Sequence, residues 1–218
     1  MSAAVSLFGA VYRYPRGGFV LSCPRLELPG GEITVITGPN GSGKTTLSKL
    51  LCGIYRLNEG ELRIFGEPAN GWPLGKLGGR VGYLFQDPAR QLFSATVWGE
   101  MTFADDILGR DPEKARQKAE GLLEYFGLSA LKDRSTYRLS RGEKQRLAIC
   151  AILMGGAEYL VLDEPTSGLD RDNRNMLYDM MDRLKARGRG FAVISHDGGL
   201  IARYGSRNIR VEEGRVLS

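Results

Sequence analysis

Cysteine is scarce. The chain of 218 residues holds three, Cys23, Cys52 and Cys150, an odd number set far apart with no C-x-x-C pair. That pattern excludes a disulfide framework and a cysteine-built zinc site, and makes a reduced, cytosolic protein the default expectation. Long apolar runs are missing too. None approaches the ~20 residues that a bilayer-crossing helix needs, so any membrane link is expected to run through a partner. Residues 1–10 lack a basic segment followed by a long apolar one, which argues against secretion. Charge of one sign is in short supply: 30 Lys and Arg face 25 Asp and Glu, leaving +5. The signs are interleaved and read as a solvated surface, which suits a phosphate ligand or an anionic membrane face without selecting either. No internal repeat, low-complexity stretch or disordered linker stands out.

What is present is the mix of a globular protein, 42% hydrophobic and 25% charged, enough to bury a sizeable core. The length allows one domain or two closely joined lobes. Glycine is over-supplied, at 30 residues without a collagen period, which implies many tight turns, some of them holding ligands.

Residues 5–14 and 19–28 read as strands around a Pro15-Arg16-Gly17-Gly18 turn, and a Pro29-Gly30-Gly31 turn leads into a strand at 33–37. A Gly-rich loop and an apolar-periodic helix at 44–54 follow, then strand-like pieces at 61–65 and 80–85. From about 97 to 156 helical patterns dominate. A buried-strand run at 159–162, a helix at 171–187, a strand at 191–195, a short helix and two short strands complete the chain. The pattern predicts an α/β fold, with a parallel sheet lobe and a mainly helical lobe inserted near 86–157.

Gly38-Pro39-Asn40-Gly41-Ser42-Gly43-Lys44-Thr45 fits G-x-x-x-x-G-K-[ST] between a predicted strand and a predicted helix. Glycines let the backbone N–H groups turn inward around phosphate oxygens at the positive end of the helix. Lys44 would reach the β- and γ-phosphates and the Thr45 hydroxyl would ligate Mg²⁺. Thr46 is counted with the nucleotide-binding residues. A chance match in a Gly-rich chain is the plainer alternative, and the strand–loop–helix context disfavours it. The expected ligand is a nucleoside triphosphate.

Tyr159-Leu160-Val161-Leu162 is continuously apolar, as a central parallel strand should be. It delivers Asp163 and Glu164 at its carboxyl end, where open α/β sheets bind ligands. Asp163 suits a water-mediated Mg²⁺ contact and Glu164 an attacking water. Pro165 is expected to bias Glu164 toward an extended backbone. Leu139-Ser140-Arg141-Gly142-Glu143 opens another helix. Ser140 and Glu143 form a capping box, and a helix N-terminus with Ser and Gly is also a second phosphate-binding surface. One ATP needs only one cradle, so in a single chain the second has no evident use.

Leu139-Ser140-Arg141-Gly142-Glu143 resembles the LSGGQ signature of ATP-binding-cassette (ABC) ATPases, whose signature helix caps the ATP of a second, head-to-tail cassette. The resemblance runs over nearly the whole chain. Tyr14 matches the aromatic that stacks on adenine, Gln86 the Q-loop glutamine, Ser167-Gly168-Leu169-Asp170 the D-loop and His196, the only histidine, the switch histidine. Arg141 and Glu143 depart from the pattern, while Ser140 and Gly142 are retained. The family fold implied is a P-loop NTPase with a RecA-like core, an antiparallel β subdomain and an inserted helical subdomain, the core being 1–85 and 158–218.

The segment from Phe85 to Glu100, beginning Phe85-Gln86-Asp87-Pro88, resembles that of energy-coupling-factor (ECF) importer ATPases, with Phe103-Ala104 where that family has Phe-Gly. Many of those ATPases carry a C-terminal extension that this chain lacks, so a short form is expected. The resemblance implies an ATP-hydrolysing importer subunit for a vitamin or transition-metal ion, with ATP and Mg²⁺ as cofactors. Catalysis would fall to Glu164, His196, Gln86 and Lys44, and Mg²⁺ to Thr45, Gln86 and Asp163. Its implied partners are a second cassette chain, identical or not, and transmembrane subunits contacted through about Leu92 to Trp98. It also implies a peripheral position on the cytoplasmic face of the membrane and no nucleic-acid partner. The alternative class is a soluble ABC-type ATPase acting on nucleic acid or ribosomes, but no coiled coil, zinc insert or second cassette supports it.

Overall fold

The computed structural model describes residues 3–15 and 17–217 and, for 106–108, the backbone alone. Arg16 of the expected first turn lies outside the described residues. Strands β1 (Ala3–Arg13) and β2 (Val20–Pro29) pair antiparallel, with Val5 opposite Leu28 and Tyr12 opposite Leu21. On its other side β1 pairs antiparallel with β4 (Glu59–Ile64), and the two-residue β5 (Glu67–Pro68) closes that edge.

The other half of the sheet is mainly parallel. β3 (Ile33–Thr37), β8 (Gly190–Ile194), β7 (Tyr159–Asp163) and β6 (Val81–Leu84) lie side by side, and every residue of the last three is buried. Continuous apolar runs are the sequence form of strands covered on both faces. β9 (Asn208–Glu212) lies parallel to β3 and turns back into β10 (Arg215–Leu217), which meets β2 at the Arg215–Ser22 pair. The two halves thereby form one ten-stranded sheet, in the order β5-β4-β1-β2-β10-β9-β3-β8-β7-β6.

Side chains along β7 alternate between two cores, as a period of two requires. Tyr159 and Val161 join a cluster with α1 (Lys44–Leu51), while Leu160 and Leu162 join the helices on the opposite face. Leu47, Leu50 and Leu51 anchor α1, each burial contributing about 1.5–3 kcal/mol. The helix stops three residues earlier than its apolar pattern predicted. The short α2 (Leu74–Gly78) was not foreseen, because two glycines in five residues mask its pattern.

Segment 86–157 carries α3 (Val97–Leu108), α4 (Pro112–Tyr125) and α5 (Arg141–Gly155). Met101, Leu123, Leu147 and Ile149 share one continuous core with Leu160 and Phe191 of the sheet. α6 (Arg171–Ala186) and α7 (Gly198–Tyr204) complete that layer. No helix is long and apolar enough to cross a membrane among the described residues.

Candidate nucleotide site

β3 ends at Thr37 and α1 begins at Lys44, and the loop between them curls around the Lys44 ammonium. Its Nζ donates hydrogen bonds of 2.8 Å to the carbonyls of Gly38 and Pro39. Burial lowers the Lys44 pKa from the usual lysine value, and the Glu164 and Asp163 carboxylates oppose that fall. α1 has Gly43 at its N-cap, no side-chain cap and no acidic residue in its first turn. Its first N–H groups are therefore open to an anion at the positive end of the helix. Gly43 has φ +111°, and a Cβ there would stand 2.7 Å from Cζ of Phe19. Only glycine lets the ring close over the loop.

β7 brings Asp163 and Glu164 to the same end of the sheet. Asp163 is buried, and its Oδ2 accepts a 2.8 Å hydrogen bond from the Tyr83 hydroxyl. The Ser48 hydroxyl donates in turn to Tyr83 at 3.3 Å. Glu164 corrects an expectation. Its backbone is left-handed, with φ +49°, instead of extended. Its N–H donates to the Ile194 carbonyl at 3.0 Å and its carbonyl accepts from the Ser167 N–H at 3.1 Å, so two bonds define the turn against the preference set by Pro165. Such a non-glycine backbone costs about 1–3 kcal/mol. The turn directs Oε1 to within 3.5 Å of Nε2 of His196, which follows β8. Burial raises the Glu164 pKa above the usual carboxylate value, and His196 works against that rise.

These elements enclose a cleft of 640 Å³. It gathers Tyr14, Asn40, Gly41, Gly43, Lys44, Thr45 and Thr46 from one side, and Gln86, Asp163, Glu164 and His196 from the other. Gly38 and Pro39 take part through the carbonyls that hold Lys44, while Ser42 is buried with its hydroxyl unpartnered. Phe19 and Ile194 also line the cleft and were not foreseen as site residues, and Ser167, the first residue of the segment that resembles the D-loop, lines it too. The signal for Phe19 was an aromatic beside Gly17-Gly18, but it read as the start of a strand that begins one residue later, at Val20. Tyr14 stands edge-on to Phe19, with ring centroids 6.2 Å apart, and the Tyr14 and Thr46 hydroxyls are 3.0 Å apart.

Among the described residues no group of three or more His, Cys, Asp and Glu is arranged to hold a metal. The donor set of one buried carboxylate, the Thr45 hydroxyl and the Gln86 amide instead suits Mg²⁺, which is held largely by phosphate oxygens and water. The residues present fit that ion.

Ser140, Gly142 and Asp170 do not line the cleft. Ser140 caps α5: its hydroxyl accepts from the Glu143 N–H at 3.3 Å, and Glu143 accepts from the Ser140 N–H at 2.6 Å. Asp170 caps α6 and accepts from the Asn173 N–H at 2.8 Å, bonds that hold its carboxyl below the usual range. A Cβ on Gly142 would lie 2.2 Å from Oδ1 of Asn173, so the glycine lets the starts of α5 and α6 touch. The expected contact segment divides. Val97 is core, Leu92 and Trp98 are half-buried against the core, and Phe93 is 60% exposed with its ring 4.4 Å from that of Phe103. Val97 therefore leaves the surface assigned to it, because it is the first residue of α3 and faces inward.

The ABC transporter family model matches residues 21–167. The energy-coupling factor transporter ATP-binding protein EcfA1 of Thermotoga maritima is 38% identical over 193 residues, covering 88% of this chain and 73% of that protein. EcfA2 of Methanospirillum hungatei is 34% identical over 220 residues, covering all of this chain and 55% of that protein. The chain spans 34% of a putative ABC transporter ATP-binding protein of Methanosarcina acetivorans, at 37% identity over 94% of this chain. Among solved structures, cbiO1 of Clostridium perfringens, described as part of the ABC transporter complex cbiONQ, superposes with a TM-score of 0.90 at 29% identity. That superposition covers 100% of this chain and 88% of that one. A dimeric ATP-binding cassette in a post-hydrolysis state with ADP and Pi superposes with a TM-score of 0.83 at 25% identity, covering 98% and 97%.

Proposed function

Because the chain belongs to the ABC transporter family of ATP-binding proteins, we propose that it is the ATP-hydrolysing subunit of an ECF-type importer. The observation that carries this reading is the convergence of Lys44, Thr45, Gln86, Asp163, Glu164 and His196 on one cleft, while Ser140 and Gly142 lie outside it. A site that holds its own nucleotide and presents a second phosphate surface elsewhere suits a head-to-tail pair, each chain capping the other's ATP. ECF-named relatives support the importer class, and a vitamin or transition-metal ion is the cargo we propose.

In this reading Tyr14 and Phe19 take the base, and the loop from Gly38 to Thr46 takes the phosphates. Lys44 exchanges its two neutral carbonyl partners for phosphate oxygens, a charge-assisted and stronger contact. Thr45, Gln86 and Asp163 hold Mg²⁺, which when bound neutralises charge on the phosphates. Glu164, made more basic by burial while His196 favours its ionised form, accepts a proton from the attacking water, and His196 contacts the γ-phosphate. Residues 86–157 act as the helical subdomain and bring Ser140 and Gly142 to the partner's ATP, with Asp170 beside them. The pair sits at the cytoplasmic face of the membrane, and a transmembrane subunit docks on Leu92, Phe93 and Trp98.

The test exploits the shared site. A Lys44→Ala chain lacks its own phosphate grip, and a Ser140→Arg chain cannot cap its partner. Together they form a heterodimer with one intact composite site. The mixture should retain ATP on gel filtration beyond either variant alone. No gain despite proven heterodimers would overturn the shared site.

A further inference from the structure

Arg141 stands where a cation is locally disfavoured. It is the first residue of α5, at the positive end of the helix dipole, and nothing in the capping box uses it. Its long side chain reaches two other loops instead. Nη2 donates to the backbone carbonyl of Gln86 at 3.2 Å, across 55 residues of chain. The same side chain passes beside Gly168, where a Cβ would meet Nε at 3.0 Å and Cζ at 3.1 Å. Gly168 has φ +70°, so its turn favours glycine on two counts.

Arg141 thus faces a 490 Å³ side cavity behind Gln86, in whose wall Thr45, Asp163 and Ser167 also stand. Those three residues line the nucleotide cleft as well, so the cavity adjoins the end of the site that would hold Mg²⁺ and the γ-phosphate. One side chain bridges the loop whose Gln86 lines the nucleotide cleft, the turn before α6, and the helix end carrying Ser140.

We infer that Arg141 is a positioning residue that couples nucleotide occupancy in the chain's own cleft to the placement of Ser140 and Gly142. The inference rests on the proposed ATP site. When Gln86 moves toward bound metal and phosphate, its carbonyl pulls on or releases the guanidinium, and the N-terminus of α5 follows. A planar, rigid fork can donate to the carbonyl while its face packs beside the turn. Lysine offers only a point charge.

Hydrogen exchange tests this in the Glu164→Gln chain with Mg-ATP, at a dilution where mass photometry shows monomers. The parent should bind ATP and show altered exchange at 140–146. Arg141→Ala should bind ATP with the same affinity and melt at the same temperature, yet lose the ATP-dependent change at 140–146. Arg141→Lys should restore it in part. With Glu164 intact, Arg141→Ala should lower kcat about 2- to 30-fold, the usual range for coupling residues, with KM little changed.

An ATP response at 140–146 that persists in Arg141→Ala, or is absent from the parent, overturns the inference alone. Lower melting temperature with altered exchange along α5 in the absence of nucleotide also overturns it, in favour of a purely structural role. Failure of the parent to bind ATP overturns the proposed site together with it.

Discussion

The Tyr83 hydroxyl, on β6, donates a 2.8 Å hydrogen bond to the Asp163 carboxylate at the end of β7. Burial, and then the Asp163 charge, push the Tyr83 pKa far up, so the phenol stays a donor. Tyr83 holds Oδ2, and among the described residues no hydrogen bond reaches Oδ1, which would be the oxygen left to face the proposed Mg²⁺ site. Tyr83→Phe should leave a buried carboxylate short of a donor and cost about 1–3 kcal/mol in denaturant melts. The Mg²⁺ concentration for half-maximal ATPase activity should rise about tenfold, the lower end of the range for such supporting contacts.

Glu164→Gln keeps shape and one acceptor but removes the proposed base. Turnover should fall about 10²- to 10⁴-fold with ATP binding retained, and gel filtration with ATP should show an accumulated dimer. Near-normal phosphate release would remove Glu164 from the base role.

The raised pKa of Glu164 has two consequences with definite signs. If Glu164 is the base we propose, protonation removes it, so the acid limb of the kcat–pH profile should fall above the usual carboxylate range. His196 holds that pKa down, and His196→Ala should move the limb still higher where residual activity permits. For stability, the folded state keeps the proton longer than the unfolded state. The contribution is present below the unfolded pKa and lost as pH rises through the folded pKa. Glu164→Gln should therefore melt higher than wild type at neutral pH, with the difference closing in acid.

Gly142→Ala sets two effects against each other. Alanine favours the helix by about 1 kcal/mol over glycine. The new Cβ would meet Asn173 Oδ1 at 2.2 Å, and that amide is pinned by Asp170 and Arg146. Strain of about 1–3 kcal/mol should win, lowering the melting temperature. Adding Asn173→Ala should recover most of the loss.

Phe93 and Val97 are four residues apart and should behave oppositely. Phe93→Ser removes an exposed ring and should change stability by no more than about 0.5 kcal/mol, while co-purification with transmembrane subunits is lost. Val97→Ser creates a cavity and an added polar group in the core, and should lower stability by about 1–3 kcal/mol. Unchanged assembly of the Phe93 variant would remove this ring from the docking surface.

Much of the site was legible because its geometry is local. Gly38 to Thr45 spans eight consecutive residues, and glycine dihedrals plus a helix dipole are enough to shape a phosphate cradle. The apolar run of β7 announced a strand buried on both faces with its acids at the ligand end. The Ser140–Glu143 capping box needed only a spacing of three residues. Boundaries shifted by one to three residues wherever hydrogen bonding, not hydropathy, ends an element.

What the sequence determined by itself was therefore the set of chemical parts and the elements that carry them. Tertiary structure decided how those parts meet. Tyr83 and Asp163 are 80 residues apart and touch only because β6 and β7 run parallel with Tyr83 opposite Val161. Phe19 enters the nucleotide cleft because β2 starts one residue past it, and Val97 leaves the surface because α3 turns it inward. The left-handed Glu164, which its neighbour Pro165 argued against, is held by bonds to Ile194 on the adjacent strand and to Ser167. Register and turn strain of this kind are set by packing summed over the whole sheet, and no short window of residues contains that sum.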